Sequence, residues 1–104
     1  DPYHIERLGR LFWFTVEFGL IREDNRVKIY GSGLVSSHGE AEYSLTSSDP
    51  ERRPFDLEQV CNTTFEIDHY QPIYYVLESF EQLRDAMNTY AEKVVGRAKL
   101  AKVA

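Results

Sequence analysis

The sequence LFWFTVEFGL, residues 11–20, is a nearly all-apolar run with a single carboxylate, Glu17, inside it. When its residues are placed at about 100° intervals, as in an α-helix, the apolar side chains cover almost the whole circumference. A helix that is hydrophobic all round is buried. We therefore predict that a long buried helix, spanning residues 2–20, opens the chain and forms the centre of its fold.

Glu17 is the residue that this helix leaves unexplained. A buried carboxylate costs free energy unless it is paired, protonated or bound to a metal. On the helical wheel Glu17 continues a polar arc that contains Glu6, Arg7 and Arg10, and nothing basic follows Arg10 on that arc. We expect a group outside the helix to compensate Glu17. A Lys or Arg from another segment fits, as does water or a metal ion, and composition alone favours the structural ion pair.

Length, composition and charge limit the class of protein. With 104 residues the chain is at most one small domain, and its 42% hydrophobic content excludes disorder. A formal charge of -5 and a pI near 5.1 argue against a nucleic-acid binder, which needs a basic face. The single cysteine, Cys61, cannot form an internal disulfide, and no apolar run is long enough to span a membrane. These features predict a soluble cytoplasmic protein without membrane partners, and the missing initiator Met predicts a piece of a longer chain.

The chain after residue 20 predicts an α+β fold with small antiparallel strands. Residues 21–22 and 26–30 flank a polar turn and favour a short β-hairpin, with Ile21, Val27 and Ile29 on its apolar face. The segment of residues 73–77 is β-branched and aromatic throughout, so it predicts a strand that pairs with the hairpin or with a strand at residues 64–67. Residues 46–54 are polar and bounded by prolines, which is typical of a surface loop.

Three further helices are predicted from capping signals. Ser36 or Ser37 caps a helix at residues 38–45, with Glu40 placed to complete a capping box. Asp56 caps one or two turns at residues 56–61, and Ser79 starts a C-terminal helix with apolar residues at helical spacing. Residues 96–104 form a basic tail, for which a solvated helix end is favoured over a membrane contact.

Three motifs in order give this chain a specific resemblance. WFTVEFGL at residues 13–20, YGSGLVSS at residues 30–37 and QPIYYV at residues 71–76 resemble the tetrahydropterin-dependent aromatic amino acid hydroxylases, with the bacterial phenylalanine hydroxylases most similar. The resemblance runs from about Tyr3 to about Tyr90. It implies that residues 1–95 are the C-terminal portion of the mainly helical hydroxylase catalytic domain.

The resemblance also implies a metal. In the family a mononuclear non-haem Fe(II) is held by two histidines and one glutamate, and Glu17 matches that glutamate. Two histidines and one carboxylate leave coordination positions open for oxygen chemistry. The family's His-x-x-x-x-His motif is absent, and His4, His38 and His69 lack its spacing. The chain therefore carries one of the three expected ligands, and it is expected to be inactive alone.

Substrate and cofactor follow from the same resemblance. Phe12 and Trp13 match residues that help wall the aromatic amino acid site, although both also suit ordinary core packing. The segment that lines the amino-acid end of the substrate and supports an iron histidine is matched by Gly33, Ser36, Ser37 and Glu40.

The implied reaction is conversion of L-phenylalanine to L-tyrosine with O2, tetrahydrobiopterin and Fe(II), and the pterin and amino acid are then the small-molecule partners. The alternative is a non-catalytic truncated α+β unit that self-associates through exposed aromatic surface. Such a unit would be a homo-oligomer. Chromatographic size distinguishes the two.

Overall fold

The computed structural model describes residues 2–65, 67 and 69–103. Within them the chain folds into helices packed around a mixed β-sheet, which confirms the α+β prediction. The helical elements are α1 (Pro2–Phe12), a π-helical turn (Trp13–Glu17), α2 (Ser32–Ser36), α3 (His38–Thr46), α4 (Leu57–Cys61) and α5 (Phe80–Val103). The strands are β1 (Leu20–Glu23), β2 (Arg26–Ile29), β3 (Glu51–Pro54) and β4 (Ile73–Leu77).

The first helix begins where predicted but ends earlier and with a different geometry. Its last turn is π-helical, because Phe18 N–H donates to the carbonyl of Trp13 at 2.9 Å, five residues back. The Thr15 hydroxyl donates to the carbonyl of Leu11 at 2.6 Å. A hydroxyl that bonds back onto the preceding turn bends a helix, and π turns occur singly inside α-helices, often at functional sites. The helix therefore stops at Glu17 rather than at residue 20.

Burial of this first helix is one-sided rather than complete. Leu11 and Phe14 are only 2% and 1% exposed, since they face the core. On the rest of the surface several apolar side chains remain 40% to 70% exposed. We call four of these the apolar stripe: Ile5, Leu8, Phe12 and Val16. A count of apolar residues around the wheel predicted burial, but it does not say which faces another element covers.

The described strands form one sheet in the order β2-β1-β4-β3. The β1 and β2 strands are antiparallel, whereas β4 is parallel to both of its neighbours. The predicted antiparallel pairing therefore holds for the hairpin alone. Four of the five residues of β4 are buried, which suits a strand in the middle of a sheet with apolar clusters on both faces.

The hairpin turn is the one that its sequence demands. Asp24 and Asn25 both have positive φ, at 52° and 63°, and are the two central residues of the connection. Asp and Asn tolerate this region better than other non-glycine residues, and a two-residue turn with positive φ at both positions matches the twist of the strands. The predicted hairpin is confirmed.

The predicted apolar face of this hairpin is wrong by one residue. Leu20 pairs with Ile29, and Ile21 pairs with Lys28. Because side chains alternate between the two faces of a strand, Leu20 lies with Ile29 and Val27, while Ile21 faces the opposite core cluster. The two-residue turn sets this register, and the composition of the strands does not reveal it.

Residues 46–54 are not wholly a loop, because β3 pairs with β4 along the edge of the sheet. Pro54 is tolerated at its end, as proline is on edge strands. The guanidinium of Arg52 donates to the carbonyls of Ser44 at 2.7 Å and Ser47 at 2.6 Å, at the C-terminus of α3. This segment is therefore held to both the sheet and the helix.

Two predicted caps are confirmed, and one predicted strand is not. Gln59 N–H donates to Asp56 Oδ1 at 3.0 Å, and the hydroxyl of Ser79 accepts a hydrogen bond at 3.1 Å at the start of α5. The segment of residues 63–65 is irregular rather than extended in a sheet, and Glu66 lies outside the described residues. The last helix continues through Gly96 to Val103. None of the helices in the described ranges is long and apolar enough to cross a lipid bilayer.

Candidate functional site

The π turn packs directly against the glycine-rich segment that follows the hairpin. A β-carbon at Gly31 would lie 2.5 Å from the carbonyl oxygen of Glu17, and one at Gly33 would lie 2.9 Å from it. No glycine in the described part of the chain has a positive φ. These two glycines are therefore required for close approach of the backbones, and this contact fixes the position of the Glu17 main chain.

The carboxylate of Glu17 lies at this contact. A β-carbon at Gly33 would be 3.1 Å from Glu17 Oε2, so the acid extends along the glycine segment. Its side chain is half-buried, and within residues 2–65, 67 and 69–103 it forms no ion pair and no hydrogen bond. The Lys or Arg that composition favoured is not found among the described residues. A half-buried carboxylate without a cation beside it fits the anionic ligand of a divalent metal.

The histidines do not join Glu17 in the described structure. His4 Nδ1 is 2.9 Å from the hydroxyl of Tyr90, and His4 lies 13 residues before Glu17, or about 20 Å along a helix. His38 starts α3 and His69 lies in an irregular segment, and both are exposed. Across the described ranges no three His, Cys, Asp or Glu side chains form a group that could hold a metal.

An aromatic cluster lies one turn before Glu17. The indole of Trp13 lies between the ring of Phe65, at 4.4 Å and 14°, and the ring of Phe18, at 4.5 Å and 32°. We call Trp13, Phe18 and Phe65 the aromatic stack. Phe18 also approaches Gly33, where a β-carbon would be 3.0 Å from its ring. The stack is thus continuous with Glu17, whereas Phe12 lies outside it in the apolar stripe and is 52% exposed.

The two serines of the glycine-rich segment have different surroundings. The hydroxyl of Ser36 donates to the carbonyl of Gly33 at 3.2 Å, within α2. Ser37 takes the position before α3 that was predicted for a cap, but its side chain makes no capping bond. The Ser37 hydroxyl therefore does not cap α3. The Ser36 hydroxyl stabilises α2, the short helix next to Glu17.

Glu40 is buried rather than part of a capping box, and that prediction is wrong. Only 5% of the residue is exposed, and its Oε2 accepts the backbone N–H of Gln71 at 2.9 Å and the hydroxyl of Tyr74 at 2.7 Å. Burial raises the pKa of Tyr74, and the hydrogen bond to Glu40 raises it further, so the hydroxyl stays protonated and donates. Donors from the start of β4 satisfy Glu40 in place of the helix N-terminus.

Several residues of this region were not assigned a role from sequence. Phe18 and Gln71 lie within the motifs at residues 13–20 and 71–76. Their position in these motifs was the one sequence feature that could have indicated a role in the site. Phe65 was assigned to a strand, whereas its ring stacks on Trp13 from an irregular segment. Such contacts join residues about 50 positions apart, and periodicity along a chain does not record them.

The comparisons with known proteins identify the family of this chain. Residues 2–101 match the family described as biopterin-dependent aromatic amino acid hydroxylase. The chain belongs to this family.

Individual relatives are close. The chain is 55% identical over 82 residues to phenylalanine-4-hydroxylase of Vibrio cholerae, covering 79% of this chain and 28% of that protein. It is 46% identical over 90 residues to tyrosine 3-monooxygenase of Bos taurus, covering 86% of this chain and 18% of that protein. The iron- and phenylalanine-bound crystal structure of phenylalanine hydroxylase from Chromobacterium violaceum matches with a TM-score of 0.77 and 48% identity, over 79% of this chain and 31% of that one. The chain thus spans less than a third of the length of these relatives.

Proposed function

We propose that this chain is part of a phenylalanine 4-monooxygenase, in which Glu17 is the carboxylate ligand of a non-haem Fe(II). The observation that carries the proposal is the Glu17 carboxylate, half-buried, without a partner among the described residues and held by the π turn against Gly33. The enzyme would convert L-phenylalanine to L-tyrosine with O2 and tetrahydrobiopterin. Phenylalanine is proposed as the substrate because two bacterial relatives, at 55% and 49% identity, are phenylalanine-4-hydroxylases.

Iron needs more protein ligands than this chain supplies. Glu17 is one, and the two histidines of a two-histidine, one-carboxylate site would come from other parts of a hydroxylase. When bound, the iron and the pterin supply the oxidation, while the protein binds and orients the substrate. Accordingly the chain is proposed to be inactive alone, with residues 1–95 as the C-terminal portion of a cytoplasmic catalytic domain and residues 96–104 as a basic tail.

The residues around Glu17 are proposed to form part of the substrate site. Trp13 would contact the ring of the amino acid with the edge of its indole, since Phe18 and Phe65 lie against its two faces. Aromatic rings favour stacked or edge-to-face neighbours, so such an edge selects an aromatic side chain. The other proposed contacts are Gly33, Ser36, Ser37 and Glu40, together with Phe12, which lies in the apolar stripe.

The proposal is tested by replacing Glu17 in the hydroxylase that contains this chain. Glu17→Gln keeps the shape of the side chain but removes its negative charge. Loss of a residue that only hydrogen-bonds to a metal ligand lowers metal affinity by about 10- to 100-fold, so we expect loss of the ligand itself to lower iron affinity by at least that factor. Tyrosine formation should fall with the iron content. The control is Glu42→Gln, an exposed acid on α3. Iron content that is unchanged in Glu17→Gln, or tight Co(II) binding by the 104-residue chain alone, would contradict the proposal.

The apolar stripe supports a second candidate function, which is self-association of this chain. Ile5 and Phe12 are 70% and 52% exposed on the same helix face as Leu8 and Val16. Contiguous exposed apolar surface of this kind marks an interaction site. Two copies could cover it by packing α1 against α1 in a symmetric dimer.

Chromatography with light scattering tests this candidate. The unmodified chain is expected to shift from monomer to dimer as its concentration rises, and the double variant Leu8→Ser and Phe12→Ser to stay monomeric. Leu45→Ser, at an apolar residue that is 43% exposed on α3, should retain the dimer. A monomer at every concentration would refute self-association, as would a dimer that the double variant leaves intact.

A further inference from the structure

The Trp13 indole has one hydrogen-bond donor, and the structure shows where it points. Trp13 Nε1 donates to Gln71 Oε1 at 3.2 Å, and Gln71 is only 1% exposed. Stacking against Phe18 and Phe65 restrains the plane of the indole but makes no directional contact with its N–H group. The indole has no second polar atom, so the bond to Gln71 is the contact that sets its direction within the plane.

The segment that carries Gln71 is held at two residues, Gln71 and Tyr74. The backbone N–H of Gln71 donates to Glu40 Oε2 at 2.9 Å, and the same oxygen accepts the Tyr74 hydroxyl at 2.7 Å. Glu40 on α3 therefore clamps the start of β4 through residues 71 and 74. In addition Pro72 follows Gln71, and the residue before a proline is restricted to extended backbone. The acceptor oxygen offered to Trp13 thus stands on a fixed backbone.

We propose that Gln71 and Glu40 are positioning residues for Trp13, acting as a buried relay that sets the direction of the indole ring in the aromatic stack. Gln71 acts on the ring directly, and Glu40 acts through Gln71. The effect of this relay on substrate binding rests on the proposed function, whereas its effect on the direction of the indole does not. Displacement of a positioning group by about 1 Å can cost a hundredfold in rate, so a relay of this kind has a measurable role.

The chain offers a clean probe, because Trp13 is its one tryptophan. Its indole N–H gives a single side-chain resonance in a ¹⁵N–¹H spectrum. Gln71→Met removes the acceptor and keeps the side-chain length. We expect the resonance to move upfield and the indole N–H to exchange with solvent severalfold faster. Gln59→Met, an exposed glutamine on α4, is the matched control and should leave the resonance in place.

Variants at Glu40 test the remote half of the relay. Glu40→Leu, which does not touch Trp13, should move the same resonance in the same direction. Glu40→Gln keeps an acceptor oxygen for Gln71 and Tyr74, and it should restore the parent spectrum. A resonance that is unchanged in Gln71→Met overturns the proposal, and one that responds to Gln71→Met but not to Glu40→Leu overturns the role of Glu40.

One measurement needs no variant and so covers the case in which Gln71→Met does not fold. In the unmodified chain the indole N–H is expected to exchange far more slowly than that of free tryptophan, and equally fast exchange would overturn the proposal. None of these readouts depends on iron or turnover.

The role in substrate binding is read separately, in the hydroxylase that contains this chain. There Gln71→Met should raise the KM for phenylalanine about tenfold, with a smaller change in kcat. A moved indole resonance with an unchanged KM would refute the substrate role alone. An unchanged resonance refutes the relay, whatever the iron test on Glu17 shows.

Discussion

Replacing Gly31 with alanine is expected to lower the free energy of unfolding by about 3 kcal/mol, at the upper end of the usual range for overpacking. The new β-carbon would lie 2.5 Å from the Glu17 carbonyl oxygen and 2.5 Å from Gly19 N, and both atoms are backbone. Neither can move without disturbing the hydrogen bonds from Tyr30 N–H and Gly31 N–H to the Gly19 carbonyl, at 3.2 and 3.1 Å. In a chain of this size the melting temperature should fall by roughly 12 to 24 °C.

A second glycine provides the matched control for this substitution. A β-carbon at Gly9, in the middle of α1, would meet nothing within 4 Å. Alanine is favoured over glycine inside a helix by about 0.5 to 1 kcal/mol, so Gly9→Ala should raise the melting temperature by a few degrees. Thermal unfolding followed by circular dichroism measures both. If Gly31→Ala melts within two or three degrees of the parent, the close contact of the π turn with the glycine segment is refuted.

Arg52→Met is expected to cost about 2 to 3 kcal/mol of unfolding free energy, since hydrogen bonds from a charged donor contribute more than neutral ones. The guanidinium lies within 3.5 Å of four carbonyl oxygens, and its bonds to Ser44 and Ser47 are 2.7 and 2.6 Å long. These carbonyls lie at or near the C-terminus of α3, where a positive charge is also favoured by the helix dipole. Arg52→Lys should recover part of the loss, because an ammonium cannot present the same planar fork.

Urea unfolding measures the effect of Arg52, with Arg84→Met as its control. Arg84 is paired only with its neighbour Asp85 among the described residues, and both side chains are at least 66% exposed. An exposed pair of this kind contributes little, so the midpoint of Arg84→Met should match that of the parent. Equal midpoints for Arg52→Met and Arg84→Met would show that Arg52 does not hold β3 to α3.

The hairpin and β4 could be predicted because their chemistry is local. Asp24 and Asn25 tolerate positive φ, and residues 73–77 are β-branched or aromatic throughout. Ser79 and Asp56 reveal their helices for the same reason, since a cap is a contact between near neighbours in sequence. In the candidate site, the resemblance singled out Glu17 and the glycine-rich segment separately, whereas their contact is seen only in the structure.

Features that depend on distant partners were missed. The edge strand β3 is charged and ends in a proline, so it resembles a loop until β4 supplies its partner. Glu40 has the right spacing for a capping box, but its carboxylate accepts hydrogen bonds from Gln71 and Tyr74 instead of from the N-terminus of its own helix. A helical wheel assumes the same angle between all successive residues, so it cannot show the π turn. The extra residue in this turn changes the angular position of Glu17 around the helix axis by roughly 100°.

The widened turn at Trp13–Glu17 also changes how alignments of this family should be interpreted. A deletion of one residue there would let the backbone return to regular α-helical hydrogen bonding, because a π turn contains one residue more than an α-helical turn. The carboxylate of Glu17 would then point to another side of the helix, even though the glutamate itself is retained. For relatives of this chain, a gap within this five-residue window is therefore stronger evidence that the proposed metal ligand is displaced than a conservative exchange of any apolar neighbour.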